Sequence, residues 1–173
     1  MNFKPWLALS IWALCACTPS LNWREVRLEQ STLKILLPCK ADHGSREVPV
    51  GSQTLMVRMS GCEAQGHLLA VARMPMPAQA KPADIESAMA QWQSATLANM
   101  NGVLNSSEPW EVKASVPIAA KRISASGKTA DGRVIQSQWV MFASENQIIQ
   151  AVVYAPKLQA EVSDTFFAGL TLP

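Results

Sequence analysis

Residues 131–154 read DGRVIQSQWVMFASENQIIQAVVY, and the fold is decided there. Asp131-Gly132 is a strong hairpin turn, because Gly takes positive φ at no steric cost and Asp tolerates it. Arg133 to Phe142 reads as a strand, Glu145-Asn146 as a turn, and Gln147 to Ala155 as a further strand. That last strand carries Ile148-Ile149 and Val152-Val153. Successive side chains in a strand point to opposite faces, so such pairs make both faces apolar. A strand of this kind is central and covered on both sides by helices.

The pattern extends outward on both sides. Ala119 to Ser126 adds another arm to the meander. Pro156 opens a helix on which Leu158, Val162 and Phe166 recur every four residues; Gly169 ends it, and Leu170-Thr171-Leu172 forms an extended tail. Upstream, Lys81-Pro82-Ala83-Asp84 starts a long helix, with Pro82 in the first turn and Asp84 and Glu86 complementing the dipole. Ile85, Met89, Trp92 and Thr96 or Leu97 share its core-facing side, and Asn101-Gly102 stops it. Glu108-Pro109-Trp110 opens an extended piece.

Earlier in the chain, Trp23, Val26 and Leu28 alternate with polar residues. Leu33 to Leu37 is a strand ended by Pro38, and His43-Gly44-Ser45 reads as a turn. Leu55, Val57 and Met59 mark a half-buried strand. Gln65-Gly66 is a hairpin turn, and Leu68 to Met74 returns before Pro75 and Pro77 break the run. The fold class is α+β. An antiparallel sheet is expected, with a long helix between the N-terminal strands and a C-terminal meander, plus a C-terminal helix. One domain spans residues 23–173.

Composition agrees with a packed single domain. The chain has 173 residues, 49% hydrophobic and 16% charged, which is far from a disordered profile. A net charge of +2 provides no basic excess for nucleic acid. Two His and one Tyr leave few general acid–base groups.

The start of the chain reads as an address. Lys4 is followed by an uncharged run from Pro5 to Ala16, too short for the roughly 20 apolar residues that span a bilayer. A charged start, a short apolar run and small residues at its end read as a secretory signal over residues 1–16. Leu14-Cys15-Ala16-Cys17 resembles the bacterial lipobox. The resemblance implies cleavage before Cys17 and a diacylglycerol on its sulfur, with residues 17–22 as a tether. Cys15 fits the modified position less well, because cleavage would then follow the large Leu14. Thr18, where an Asp would retain a lipoprotein at the inner membrane, points to the outer membrane. An ordinary cleaved signal is the alternative.

Cys39 and Cys62 remain. In an oxidising compartment an even pair reads as a disulfide. The competing reading is an envelope metal-binding or thiol-redox protein that uses Cys39, His43, Cys62 and His67, either as a tetrahedral metal site, although the spacing matches no common zinc motif, or with free, redox-active thiols. With the cysteines bridged, both His are expected in surface loops.

Other motifs are weak. Ser126-Gly127-Lys128-Thr129 looks like the end of a phosphate loop, but Arg122 stands where its first Gly belongs and no helix follows. Ser31-Thr32-Leu33-Lys34 matches S-x-x-K without its companion motifs. Asp42-His43 is an adjacent acid–imidazole pair. Met56, Met59, Met74 and Met76 could bind a soft metal, but Met fills cores more often.

The element order resembles the PsbP-like fold, shared with DcrB-type lipoproteins. The resemblance covers roughly Leu33 to Leu172 and is sharpest from Asp131-Gly132-Arg133 through Tyr154, Pro156 and Asp164-Thr165-Phe166-Phe167. Gly169 and Leu170 depart from the usual helix ending. The resemblance implies an accessory domain and not an enzyme, and it transfers no functional residue. The expected protein is a non-enzymatic, periplasm-facing lipoprotein with no cofactor and no nucleic-acid partner. It would be held at the membrane by its lipid and could engage an envelope protein.

Overall fold

In the computed structural model, which describes residues 21–50, 53–116 and 118–173, the elements run β1 (Arg24–Arg27), β2 (Lys34–Leu37), β3 (Asp42–Val50), β4 (Gln53–Ala64), β5 (His67–Pro75), α1 (Pro82–Asn99), β6 (Val103–Val112), β7 (Ile118–Lys128), β8 (Val134–Ser144), β9 (Gln147–Ala155) and α2 (Ala160–Ala168). The signal-like segment and Cys17 lie outside the described residues. Leu21 already packs against the core, and the Asn22 N–H donates to Pro38 O at 3.1 Å. Residues 21 and 22 therefore belong to the folded domain.

Strands β1 and β2 form a small antiparallel pair, and the other seven form one antiparallel sheet in the order β3-β4-β5-β9-β8-β7-β6. β9 lies in the middle, against β5 on one side and β8 on the other. Its double apolar pattern has the consequence expected of it, because Ile148 and Ile149 are both fully buried. Alternation then sorts the core into two layers. One contains Leu69, Val140, Phe142, Ile149 and Val153, covered by Leu33, Ile35 and Leu37 of the β1–β2 region and by Phe166 and Phe167 of α2. The other contains Met74, Ile123, Trp139, Met141, Ile148 and Val152, with Ala88, Trp92 and Met89 of α1 against it.

Helix α1 begins at Pro82, and the Lys81 N–H donates to Asp84 Oδ2 at 2.9 Å. Helix α2 begins at Ala160 instead of Pro156. The reason is tertiary: the Leu158 N–H donates to Gln136 Oε1 at 2.9 Å, and Gln159 stays extended with φ −100°. α2 is fastened to the sheet by Arg122. Its Nη2 donates to Asp164 Oδ1 at 2.7 Å and Gln138 Oε1 at 2.8 Å, while the guanidinium lies 5.2 Å from the Trp110 ring centre and 5.1 Å from that of Phe167. The C-terminal tail is extended, with mutual hydrogen bonds between Lys34 and Thr171.

Two sequence expectations need correction. His43-Gly44-Ser45 is not a turn but part of β3, paired with Ser60, Met59 and Arg58. Asp42 to Glu47 are all exposed, so no apolar alternation marks this edge strand. Its partner β4 specifies it. β6 likewise begins earlier than Glu108, at Val103, with a register shift between Leu104 and Ser106. It too is an edge.

Gly127, the glycine of the phosphate-loop look-alike, sits in β7 where the end of α1 crosses it. The Lys128 N–H donates to Met100 O at 2.7 Å, and a Cβ on Gly127 would lie 2.2 Å from that same oxygen. The glycine is there for backbone approach. Ser31 and Thr32 of the S-x-x-K look-alike donate to the Glu145 carboxylate at the β8–β9 turn.

Two stability outcomes follow. Gly127→Ala should destabilise by about 1–3 kcal/mol, the usual range for overpacking, read as a lower denaturant midpoint at unchanged slope. Cys39 and Cys62 are bridged across a sequence separation of 23. Chain entropy assigns such a crosslink about 3 kcal/mol, so unfolding with reductant should show a loss of that size, reproduced by the double Cys→Ser variant.

Candidate functional site

The four residues of the alternative metal reading are dispersed. Cys39 follows β2 and is joined to Cys62 of β4 with Cα atoms 6.0 Å apart. The bridge consumes both thiolates a tetrahedral site would need. His43 Nδ1 lies 2.9 Å from Ser60 Oγ on the exposed edge. His67 corrects the surface-loop expectation, because only 2% of it is exposed. Its Nδ1–H donates to Gln65 O at 3.0 Å, and its Nε2 accepts the Gln159 N–H at 3.2 Å. That pairing orients the ring and ties the β4–β5 turn to the start of α2. Among the described residues, no three His, Cys, Asp or Glu side chains come together as metal ligands.

The remaining motifs separate as well. Asp42 and His43 are neighbours in a strand and point to opposite faces. So do Met56 and Met59, three residues apart in β4, whereas Met74 is core.

The concave feature with the right chemistry for binding lies beneath α1. The helix rests on the sheet along Ile85, Ala88, Met89, Trp92 and Thr96. Only Ala88 and Thr96 are buried outright, so α1 sits shallowly. Under its second half is a cavity of about 230 Å³ between the helix and strands β3, β4, β5 and β9. Val57, Ala72, Met74 and Val152 form its floor, and Trp92 and Ala88 its roof. Trp92, expected from its spacing to be core, is half-buried and lines this space.

Besides Gln91 and Asn99 on the helix side, two pairs of polar groups line the cavity. Deep inside, the Gln150 Nε2 donates to Thr96 Oγ1 at 3.1 Å, and Thr96 Oγ1 donates to Trp92 O at 2.9 Å. Gln150 and Thr96 are 4% and 6% exposed, so this pair links β9 to α1 inside the apolar wall. At the mouth stand Arg46 of β3 and Tyr154 of β9, beside the exposed Met59 and Leu68. Burial pushes the Tyr154 phenol above its ordinary value of 10.0, while a hydrogen bond with the Ser137 hydroxyl and, more weakly, the nearby Arg46 charge work in the opposite sense. Arg46 makes no salt bridge among the described residues. Among the described residues, the lining holds no His, Cys, Ser, Asp or Glu. A larger open trough of about 980 Å³ adjoins the mouth, sharing Leu68, Thr96 and Tyr154 and bordered by Lys128 and Arg133.

The fold is similar to that of cyanobacterial PsbP (CyanoP) from Synechocystis sp. PCC 6803, known from its solution structure. The TM-score is 0.52 at 11% sequence identity, over 94% of this chain and 99% of that one. The domain is therefore an α+β, mostly antiparallel PsbP-like fold. The crystal structure of PA94, a protein of unknown function from Pseudomonas aeruginosa, aligns with a TM-score of 0.39 at 12% identity, over 77% of this chain and 82% of that one. No family model and no curated protein sequence matches the chain.

Tyr154 is the single tyrosine of the sequence, so its ionisation can be followed without interference. Its folded pKa is raised, so above pH 10 the unfolded chain gives up the proton first. The stability it contributes is complete below pH 10 and is lost as pH rises through the folded value. Tyrosinate absorbance of the native protein should titrate above 10 and return to about 10 in denaturant.

Proposed function

We propose that this PsbP-like domain is a non-enzymatic binding or accessory module of the bacterial cell envelope, anchored by lipid on Cys17 and facing the periplasm. The carrying observation is Leu14-Cys15-Ala16-Cys17 at the end of the uncharged run from Pro5 to Ala16. Lipid with two or more chains holds a protein firmly at a membrane, whereas one chain binds only marginally. Among the described residues, no helix is long and apolar enough to cross a membrane, and on this reading the lipid does that work. Thr18 directs the protein to the outer membrane.

Two features of the domain support a binding role. The Cys39–Cys62 bridge suits an oxidising compartment. The cavity under α1 is apolar, carries one cation at its mouth and lacks the residues of a catalytic constellation. Its partner in the envelope would be a protein or a small ligand taken up there.

Metabolic labelling with palmitate and intact mass analysis of the purified protein test the reading. The wild type should carry the label, begin at Cys17 and sediment with membranes; Cys17→Ser should lose both label and sedimentation. A mature chain that begins elsewhere and carries no lipid overturns it.

A further inference from the structure

The cavity beneath α1 has an unpaired charge at its entrance, and the nature of its occupant follows from that. Arg46 is exposed on the edge strand β3 and has no carboxylate partner among the described residues. Across the mouth stands Tyr154, whose hydroxyl can donate a hydrogen bond. Between them the wall is apolar: Met59 and Leu68 are 37% and 45% exposed at the rim, and Val57, Met74 and Val152 are buried below. The two buried polar groups inside, Gln150 and Thr96, bond to each other. The design is a cationic rim over an apolar floor.

We propose that the cavity binds a free, monoanionic amphiphile, a medium-chain carboxylate. Its carboxylate lies on the Arg46 guanidinium and the Tyr154 hydroxyl, and its tail runs under Trp92 towards Met74 and Val152. A guanidinium presents paired N–H donors that match the two oxygens of a carboxylate. At about 30 Å³ for a water-sized group, a cavity of 230 Å³ holds roughly eight such groups. That is the length class of octanoate. An occupant of this shape would also cover the exposed Met59 and Leu68 side chains. The inference rests on the binding role proposed above but not on the lipid anchor.

The test is photocrosslinking with octanoate bearing a diazirine near its tail end. It uses the full chain as cells process it, taken from whichever fraction contains it, and peptides are mapped by mass spectrometry. Labelling should saturate with a midpoint below about 1 mM and fall on the peptides containing Trp92 and Met74. Unlabelled octanoate should compete at least tenfold better than octanol. Arg46→Gln, an exposed substitution, should weaken labelling about tenfold, as expected for loss of a charge-assisted hydrogen bond, with an unchanged circular dichroism spectrum. Labelling elsewhere, equal competition by octanol, or an indifferent Arg46→Gln variant overturns the proposal. Palmitate labelling at Cys17 reports separately on the anchor, so the two can fail independently.

Discussion

The pairing of β5 with β9 is the constraint on which everything else depends. It joins the N-terminal strands to the C-terminal meander through the register from Leu68↔Tyr154 to Pro75↔Gln147. All other neighbouring strands in the large sheet are consecutive in sequence. Within the large sheet this seam is the pairing that closes a long loop, so it carries a large entropic cost. A shift by one residue would exchange the two core layers, placing Gln150 where Ile149 belongs. The same seam brings Leu68 beside Tyr154 and so forms the mouth of the cavity.

Much of this was legible in the sequence, for reasons that can be located. Ile148-Ile149 and Val152-Val153 announced a strand buried on both faces, and Asp131-Gly132, Gln65-Gly66 and Glu145-Asn146 marked turns that occur where read. Each of these turns has a residue with positive φ: Gly132, Gln65, Gly66, Glu145 and Asn146. β3 has no signature in the sequence because an exposed edge strand needs no apolar alternation; the hydrogen bonds of β4 make it a strand. The start of α2 was misplaced because Gln136 and His67, both distant in sequence, hold Leu158 and Gln159 out of the helix.

The cavity was not legible at all. Trp92 has the spacing of a core residue, Arg46 lies in a polar stretch, and Tyr154 ends a buried strand. Nothing in their local patterns relates them. They meet because α1 crosses the sheet without sinking into it, its contact side being mostly half-buried. A helix with larger side chains at Ala88 and Ala95 would have to stand differently over the sheet or fill the space.

The two outer strands, β3 and β6, have a bearing on how the molecule behaves when crowded. An unpaired sheet edge is a template for another chain. Here β3 displays Asp42, Arg46 and Glu47, all exposed, and β6 is broken by the irregularity at Leu104/Ser106 and by Pro109, which has no N–H to offer. Neither rim presents an even ladder of donors and acceptors along a smooth apolar ribbon. On the membrane anchor proposed above, copies of the chain would meet often, and the charged β3 rim and the interrupted β6 rim disfavour strand-by-strand polymerisation there.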